Sequence, residues 1–207
     1  MQDQAVGQWL EELASEASTP GGGAAAAMHA SIGAALVSMV CNLTLGRPKF
    51  AVHEAMFSSV LDRADKLRVQ ALALAGEDAD AFGAVVAAYG LPKETDDDRR
   101  VRTGFIQQAL VGAAEVPLRV AALAAEVVDL CAAVLDGANP NVLSDVAVAA
   151  SSAKAALEAA VVNVEVNLAT LADPGRRADL AAQLAAHLVA VPRADAVVAA
   201  VRARIAR

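Results

Sequence analysis

Aromatic side chains are scarce in this 207-residue sequence: one Trp, one Tyr and four Phe, 3% of the total. No basic tract accompanies them, and Lys and Arg number 17 against 24 Asp and Glu, a formal charge of −7. A nucleic-acid binder normally shows a cationic stripe or stacking aromatics, so no nucleic-acid partner is expected. Cysteine is equally sparse. Cys41 and Cys131 sit inside apolar stretches and read as free, buried thiols in a reducing compartment rather than as a disulfide. His29, His53 and His187 are isolated, without ligand spacing to one another, so no metal is expected. No Ser-His-Asp or Cys-His set is visible. Met1-Gln2-Asp3-Gln4 lacks the basic start and apolar run of a signal peptide. The stretch Gly23 to Leu45 is long enough for a membrane span, but His29, Ser31, Ser38, Asn42 and Thr44 interrupt it. It reads as a buried core helix. A soluble, cytoplasmic protein with no membrane partner is the expectation.

Hydrophobic residues make up 57% of the chain, and Ala, Val and Leu supply them. Ala and Leu are strong helix formers, and the strand-favouring residues other than Val are few. The expected fold is all-α, an antiparallel bundle of long helices forming a single domain over 1–207. Breakers place a first helix from about Gln4 to Ala17 and a second after Pro20-Gly21-Gly22-Gly23, running to about Leu45. The third spans Phe50 to Ala88. A fourth, capped by Thr95, runs to about Leu135 with a bend near Pro117. The fifth covers Ser144 to Leu171, a sixth starts at Asp173-Pro174, and Pro192 divides it from a short last helix.

The second helix has two unlike faces. Met28, Ile32, Leu36, Met39 and Leu43 fall together, while Gly22, Ala26, Ala30, Ala34, Ser38 and Asn42 wind around the remainder. The large face is expected to pack within its own subunit, leaving the small face for a partner subunit or the floor of a pocket. The glycines at its start leave free N–H groups and a positive dipole end, suited to a carboxylate or another electron-rich group. They also suit nothing more than a tight helix crossing.

Pro20-Gly21-Gly22-Gly23, followed by Gly33-Ala34-Ala35-Leu36-Val37-Ser38-Met39-Val40, resembles the cyclodeaminase/cyclohydrolase family of folate enzymes. Further matches follow in order: Asp78-Ala79-Asp80-Ala81-Phe82, Leu91-Pro92-Lys93, Glu115-Val116-Pro117-Leu118, Asn139 to Asn141 with Ser144-Asp145, and Asn163-Val164 with Asn167-Leu168. The resemblance covers roughly Val6 to Asp173. It implies a homodimer of helical subunits acting on a tetrahydrofolate derivative as substrate, with no permanently bound cofactor. Two reactions are implied. One is hydrolysis of 5,10-methenyltetrahydrofolate to 10-formyltetrahydrofolate. The other is cyclodeamination of 5-formiminotetrahydrofolate with release of ammonia. A helical dimer that only binds folate is the reading from another class. The segment Met39-Val40-Cys41-Asn42-Leu43-Thr44 is most similar to the stand-alone cyclohydrolases.

Hydrolysis of an amidinium carbon needs a base for the attacking water. Asp78 lies in an otherwise apolar helical stretch where burial would raise its pKa toward a useful value. Asp145, after Ser144, opens the fifth helix, where dipole compensation also explains it. The two stand as alternative holders of the base or cation-stabilising role, and Asp80 as a substrate contact. Asn163 and Asn167, four apart among valines, share a face and invite hydrogen bonds to a pteridine ring or to a neighbouring helix. Asn42 invites the same two readings. The resemblance also places Pro20, Gly21, Gly22 and Gly23 against the substrate, and Arg47 and Lys49 are candidates for its glutamate tail.

Overall fold

The computed structural model describes residues 4–206, and within them the chain is helical with no strand. Seven α-helices follow in order: α1 (Val6–Leu13), α2 (Gly22–Asn42), α3 (Glu54–Tyr89), α4 (Asp96–Val134), α5 (Leu143–Leu168), α6 (Pro174–Leu188) and α7 (Ala190–Ile205). Their ends follow from local chemistry. The Thr95 hydroxyl accepts the Asp98 N–H at 3.0 Å and the Asp98 carboxylate accepts the Thr95 N–H at 3.0 Å, so the expected cap is a full capping box. Asp173 caps α6 by accepting from the N–H groups of Gly175 and Arg176. α4 continues unbroken through Pro117.

α2 and α5 each end three residues before the expected Leu45 and Leu171, and three further boundaries differ for local reasons. α1 stops at Leu13, because the Ser15 hydroxyl bonds the Glu12 carbonyl and accepts the Ala17 N–H, offering the backbone a local alternative to helix. α3 begins at Glu54, after a 3₁₀ turn over Pro48–His53. The break between α6 and α7 falls at Val189, so Pro192 sits in the first turn of α7, where a missing N–H costs no helical bond.

α2 packs along α3 and α5 and crosses α4, which places it at the centre of the bundle. It runs antiparallel to both neighbours. The Ser31 hydroxyl donates to the Arg68 carbonyl and the Ser38 hydroxyl to the Asp65 carboxylate, while Gly33 lies against Ala149 and Ala153 of α5. The expected assignment of its two faces is reversed. Ala26, Ala30 and Ala34 are fully buried and Ser38 nearly so, whereas Ile32 is 42% exposed and Met39 and Leu43 almost as much. The reason is close approach. A Cβ at Gly33 would lie 3.1 Å from the Ala149 carbonyl oxygen and 3.2 Å from Val127 of α4. Where helices converge this tightly small side chains fill the seam, and Ile32, Met39 and Leu43 are turned partly outward while Met28 and Leu36 stay half-buried against the core.

The bundle therefore has two distinct ends. One gathers the start of α2, the C-terminal part of α3 and the end of α5. The other gathers the end of α2, the Pro48–His53 turn and the start of α5, about 30 Å away along α2. Buried Asn139 pins that second end: its N–H bonds the Thr44 hydroxyl, its amide donates to the Leu43 carbonyl, and its oxygen accepts from Asn141. The motif Asn139 to Asn141 is thus accounted for by a loop junction.

Candidate active site

At the first end the chain leaves a cavity of about 300 Å³, lined by Gly21, Gly22, Gly23, Asp78, Asn163 and Asn167 with walls from Phe82, Val85, Ala113 and Val166. Three helices deliver its polar groups. Asp78 is half-buried on α3, and its carboxylate seats directly on the start of α2, accepting the Ala24 backbone N–H. Gly23 makes that seat possible: a Cβ there would lie 2.0 Å from Asp78 Oδ1 and 2.4 Å from its Cγ. Burial pushes the Asp78 carboxyl above the ordinary carboxylate range, and the Ala24 N–H pulls it part of the way back. Gly21 at the N-cap has no side chain to cap α2, so apart from Ala24 its first-turn N–H groups are left without a side-chain partner.

The two asparagines form a ladder along α5. Asn163 Nδ2 donates to the Ala159 carbonyl at 2.8 Å, and Asn167 Nδ2 donates to the carbonyls of Asn163 and, across to α4, Ala113. Both amide nitrogens are engaged by backbone, and both side chains line the cavity. Gly22 again supplies room, since a Cβ there would meet Asn163 Oδ1 at 3.5 Å, ordinary contact. An acid with raised pKa, the start of a helix and two amides tethered to backbone therefore converge in one partly apolar pocket.

The sequence-predicted residues divide between the two ends. Gly21, Gly22, Gly23, Asp78, Asn163 and Asn167 come together. Pro20 lies in the turn between the lining residues Thr19 and Gly21, joined to Thr19 by a cis peptide, without itself lining the cavity. Asp80 points away: it is exposed, two residues and about 200° around α3 from Asp78. Asn42, Arg47 and Lys49 are exposed at the opposite end of α2. Asp145 shares that end, about 27 Å along α5 from Asn163. Within one subunit these four do not reach the cavity, because helices this long separate what sequence motifs group together. Phe82 and Val85, at i+4 and i+7 from Asp78, are walls that helical spacing alone assigns to its face. Ala113 carries no comparable signal.

Residues 5–186 match the family model described as formiminotransferase-cyclodeaminase. The chain belongs to this family. It is 46% identical to the methenyltetrahydrofolate cyclohydrolase of Methylorubrum extorquens over 83% of this chain and 82% of that protein. Against the formimidoyltransferase-cyclodeaminase of Rattus norvegicus the identity is 32% over 83% of this chain, which spans 32% of that longer protein. The fold agrees with the crystal structure of formiminotetrahydrofolate cyclodeaminase from Thermotoga maritima, with a TM-score of 0.89 and 24% identity over 99% of this chain and 98% of that one. The resemblance carried by the ordered motifs and the all-helical fold expected from composition are both borne out.

Proposed function

We propose that this chain hydrolyses 5,10-methenyltetrahydrofolate to 10-formyltetrahydrofolate, with Asp78 as the base. The observation that carries the reading is the Asp78 carboxylate, half-buried at the N-terminus of α2 in the same cavity as Asn163 and Asn167. Its support from relatives is the 46% identity to a methenyltetrahydrofolate cyclohydrolase. The substrate presents an amidinium carbon between N5 and N10, and a nearby carboxylate stabilises that cation. Asp78 accepts a proton as water adds to the carbon. The tetrahedral adduct then opens at the carbon–N5 bond: its hydroxyl proton is released to solvent as the formyl C=O forms on N10, and the proton held by Asp78 passes to N5. First-turn N–H groups of α2 face the oxygen on which charge develops, and the asparagine oxygens accept from the pterin ring.

No permanently bound cofactor enters this scheme. We take the protein to be a cytoplasmic homodimer without nucleic-acid or membrane partners. The dimer reading is supported by the outward row of Ile32, Met39 and Leu43, with half-buried Met28 and Leu36 beside it on α2.

The test follows the absorbance of methenyltetrahydrofolate with purified protein and its Asp78→Asn variant, with formiminotetrahydrofolate assayed in parallel for ammonia. Accelerated loss of the methenyl absorbance, abolished in the variant, is expected. Ammonia release in preference to methenyl hydrolysis would establish the cyclodeaminase instead. Tight folate binding without turnover of either compound would leave only a binding protein.

A further inference from the structure

The space beside Asp78 does not end at the cavity. At Ala81, one helical turn along α3, it adjoins an apolar groove of about 550 Å³ that runs between α3 and α4 toward the tip of their hairpin. Ala84, Ala88 and Leu91 form one wall; Phe105, Ala109 and Gly112 form the other. Gln108 is its one polar side chain. The groove carries a single aromatic ring, Phe105.

Size and placement say what fills it. At about 300 Å³ the cavity is at the lower limit of sites that enclose drug-sized ligands. On the folate reading, the substrate is a pterin, an aminobenzoyl ring attached at N10, and a glutamate. The reacting carbon must lie against Asp78, so N10 and its ring leave the cavity from that point. Ala81 to Ala88 spans about 10 Å of helix, room for an aryl ring followed by one amino-acid unit extending about 3.5 Å. Beyond the groove lies Lys93, in the turn that begins with Leu91. Nearby Arg99 and Arg100 are neutralised by Asp96 and Asp97, and Arg102 donates to the Tyr89 carbonyl, whereas Lys93 takes part in no ion pair among the described residues.

We propose that the α3–α4 groove is the subsite for the aminobenzoyl-glutamate arm of the substrate, its ring between the alanine wall and Phe105 and its carboxylates toward Lys93. This rests on the folate reading of the Asp78 cavity. It moves the tail from Arg47 and Lys49, which lie at the opposite end of α2, to the hairpin tip.

Gly112 offers a clean test. A Cβ there meets nothing within 4 Å, so Gly112→Leu fills the groove from an open position, and replacing a helical glycine favours folding. Two measurements are made on wild type and variant, with subunit mass recorded for both. The first is steady-state hydrolysis of methenyltetrahydrofolate. The second is direct binding of 4-aminobenzoyl-glutamate, read by saturation-transfer NMR. The expected result is KM raised about tenfold or more as ring burial is lost, kcat within about twofold, and fragment binding abolished. Lys93→Ala should raise KM less and remove its salt dependence. An unchanged KM, or equal fragment binding by both proteins, would overturn the subsite. So would conversion of a dimer to monomers by Gly112→Leu, which would make the groove a subunit contact. If neither folate is turned over yet the fragment binds only wild type, the subsite stands and the proposed activity falls. Fragment binding to neither protein, with no turnover, overturns both.

Discussion

The contact between Gly23 and Asp78 predicts that Gly23→Ala inactivates the protein without unfolding it. An added Cβ would stand 2.0, 2.4 and 2.6 Å from Oδ1, Cγ and Oδ2 of Asp78. Non-bonded heavy atoms need about 3.5 Å or more, so one partner must move. The methyl group is fixed to the α2 backbone, which is held by α3 and α5; the carboxylate ends a short rotatable side chain. Asp78 therefore swings away, loses the Ala24 N–H, and carries its charge about an ångström or more from the reacting carbon. A misplacement of that size costs about 10²-fold in rate. Stability moves the other way, since alanine exceeds glycine by about 1 kcal/mol within a helix. For a chain of this length that is about 2–4 °C in Tm, reduced here by the strain at Asp78. Gly22→Ala is the matched control, because its Cβ meets Asn163 Oδ1 at an ordinary 3.5 Å. Hydrolysis of methenyltetrahydrofolate and thermal unfolding are measured for both variants. Loss of about 100-fold in Gly23→Ala, with Gly22→Ala within a few-fold of wild type and all three proteins folded, is expected. Near-normal turnover in Gly23→Ala would refute the seating of Asp78 as the catalytic arrangement.

Because burial raises the Asp78 pKa, the acid limb of kcat/KM should lie above the ordinary aspartate value of about 3.9; a limb at or below that value would remove Asp78 as the base. The same shift makes ionisation of Asp78 unfavourable to folding, a penalty that grows as pH rises through the folded pKa. Asp78→Asn should thus unfold at an equal or higher temperature than wild type at neutral pH, with the difference vanishing below the unfolded pKa; a lower Tm at pH 7 would contradict it. Cys41 and Cys131 are buried, and burial pushes both thiols up to about 12. A thiol reagent should label neither until the protein unfolds, and rapid labelling of the native protein would count against this packing. Ile32→Glu with Met39→Glu places charge on the outward face of α2, on side chains that are 42% and 36% exposed in one subunit. Sedimentation should show monomers in place of dimers, and an unchanged mass would assign the dimer contact elsewhere.

Much of the fold was legible because it is written in local chemistry. Thr95 with Asp98, Asp173 with Pro174, and the glycine run before α2 each act within one turn of chain. The faces of α2 were not legible, because periodicity separates large residues from small ones without saying which set faces inward. That depends on how closely neighbouring helices approach, a property of α3, α4 and α5 as much as of α2. The site shows the same division. Asp78, Asn163 and Asn167 were found by motif, but so were Asp145 and Asn42, and sequence order holds no measure of a 30 Å helix. Only the antiparallel course of α2 against α3 and α5 decides that Asp78 and Asn163 meet while Asp145 stands at the far end.

That course also explains why one helix serves both packing and chemistry. Small residues draw α2 into the centre of the bundle, and the same lack of side chains at Gly22 and Gly23 opens its N-terminus to Asp78 and Asn163. The carboxylate then feels two opposed influences. Burial beside the apolar walls of Phe82, Val85 and Val166 raises its pKa and makes it a better base, while the Ala24 N–H at the positive end of α2 lowers it again in part and favours the charged form. The two act in opposite directions: burial alone would push the carboxyl further toward its protonated form, and N–H groups alone would leave it a weaker base. Filling Gly23 shifts this balance from chemistry toward helix stability, so glycine at that position is explained by function rather than by folding.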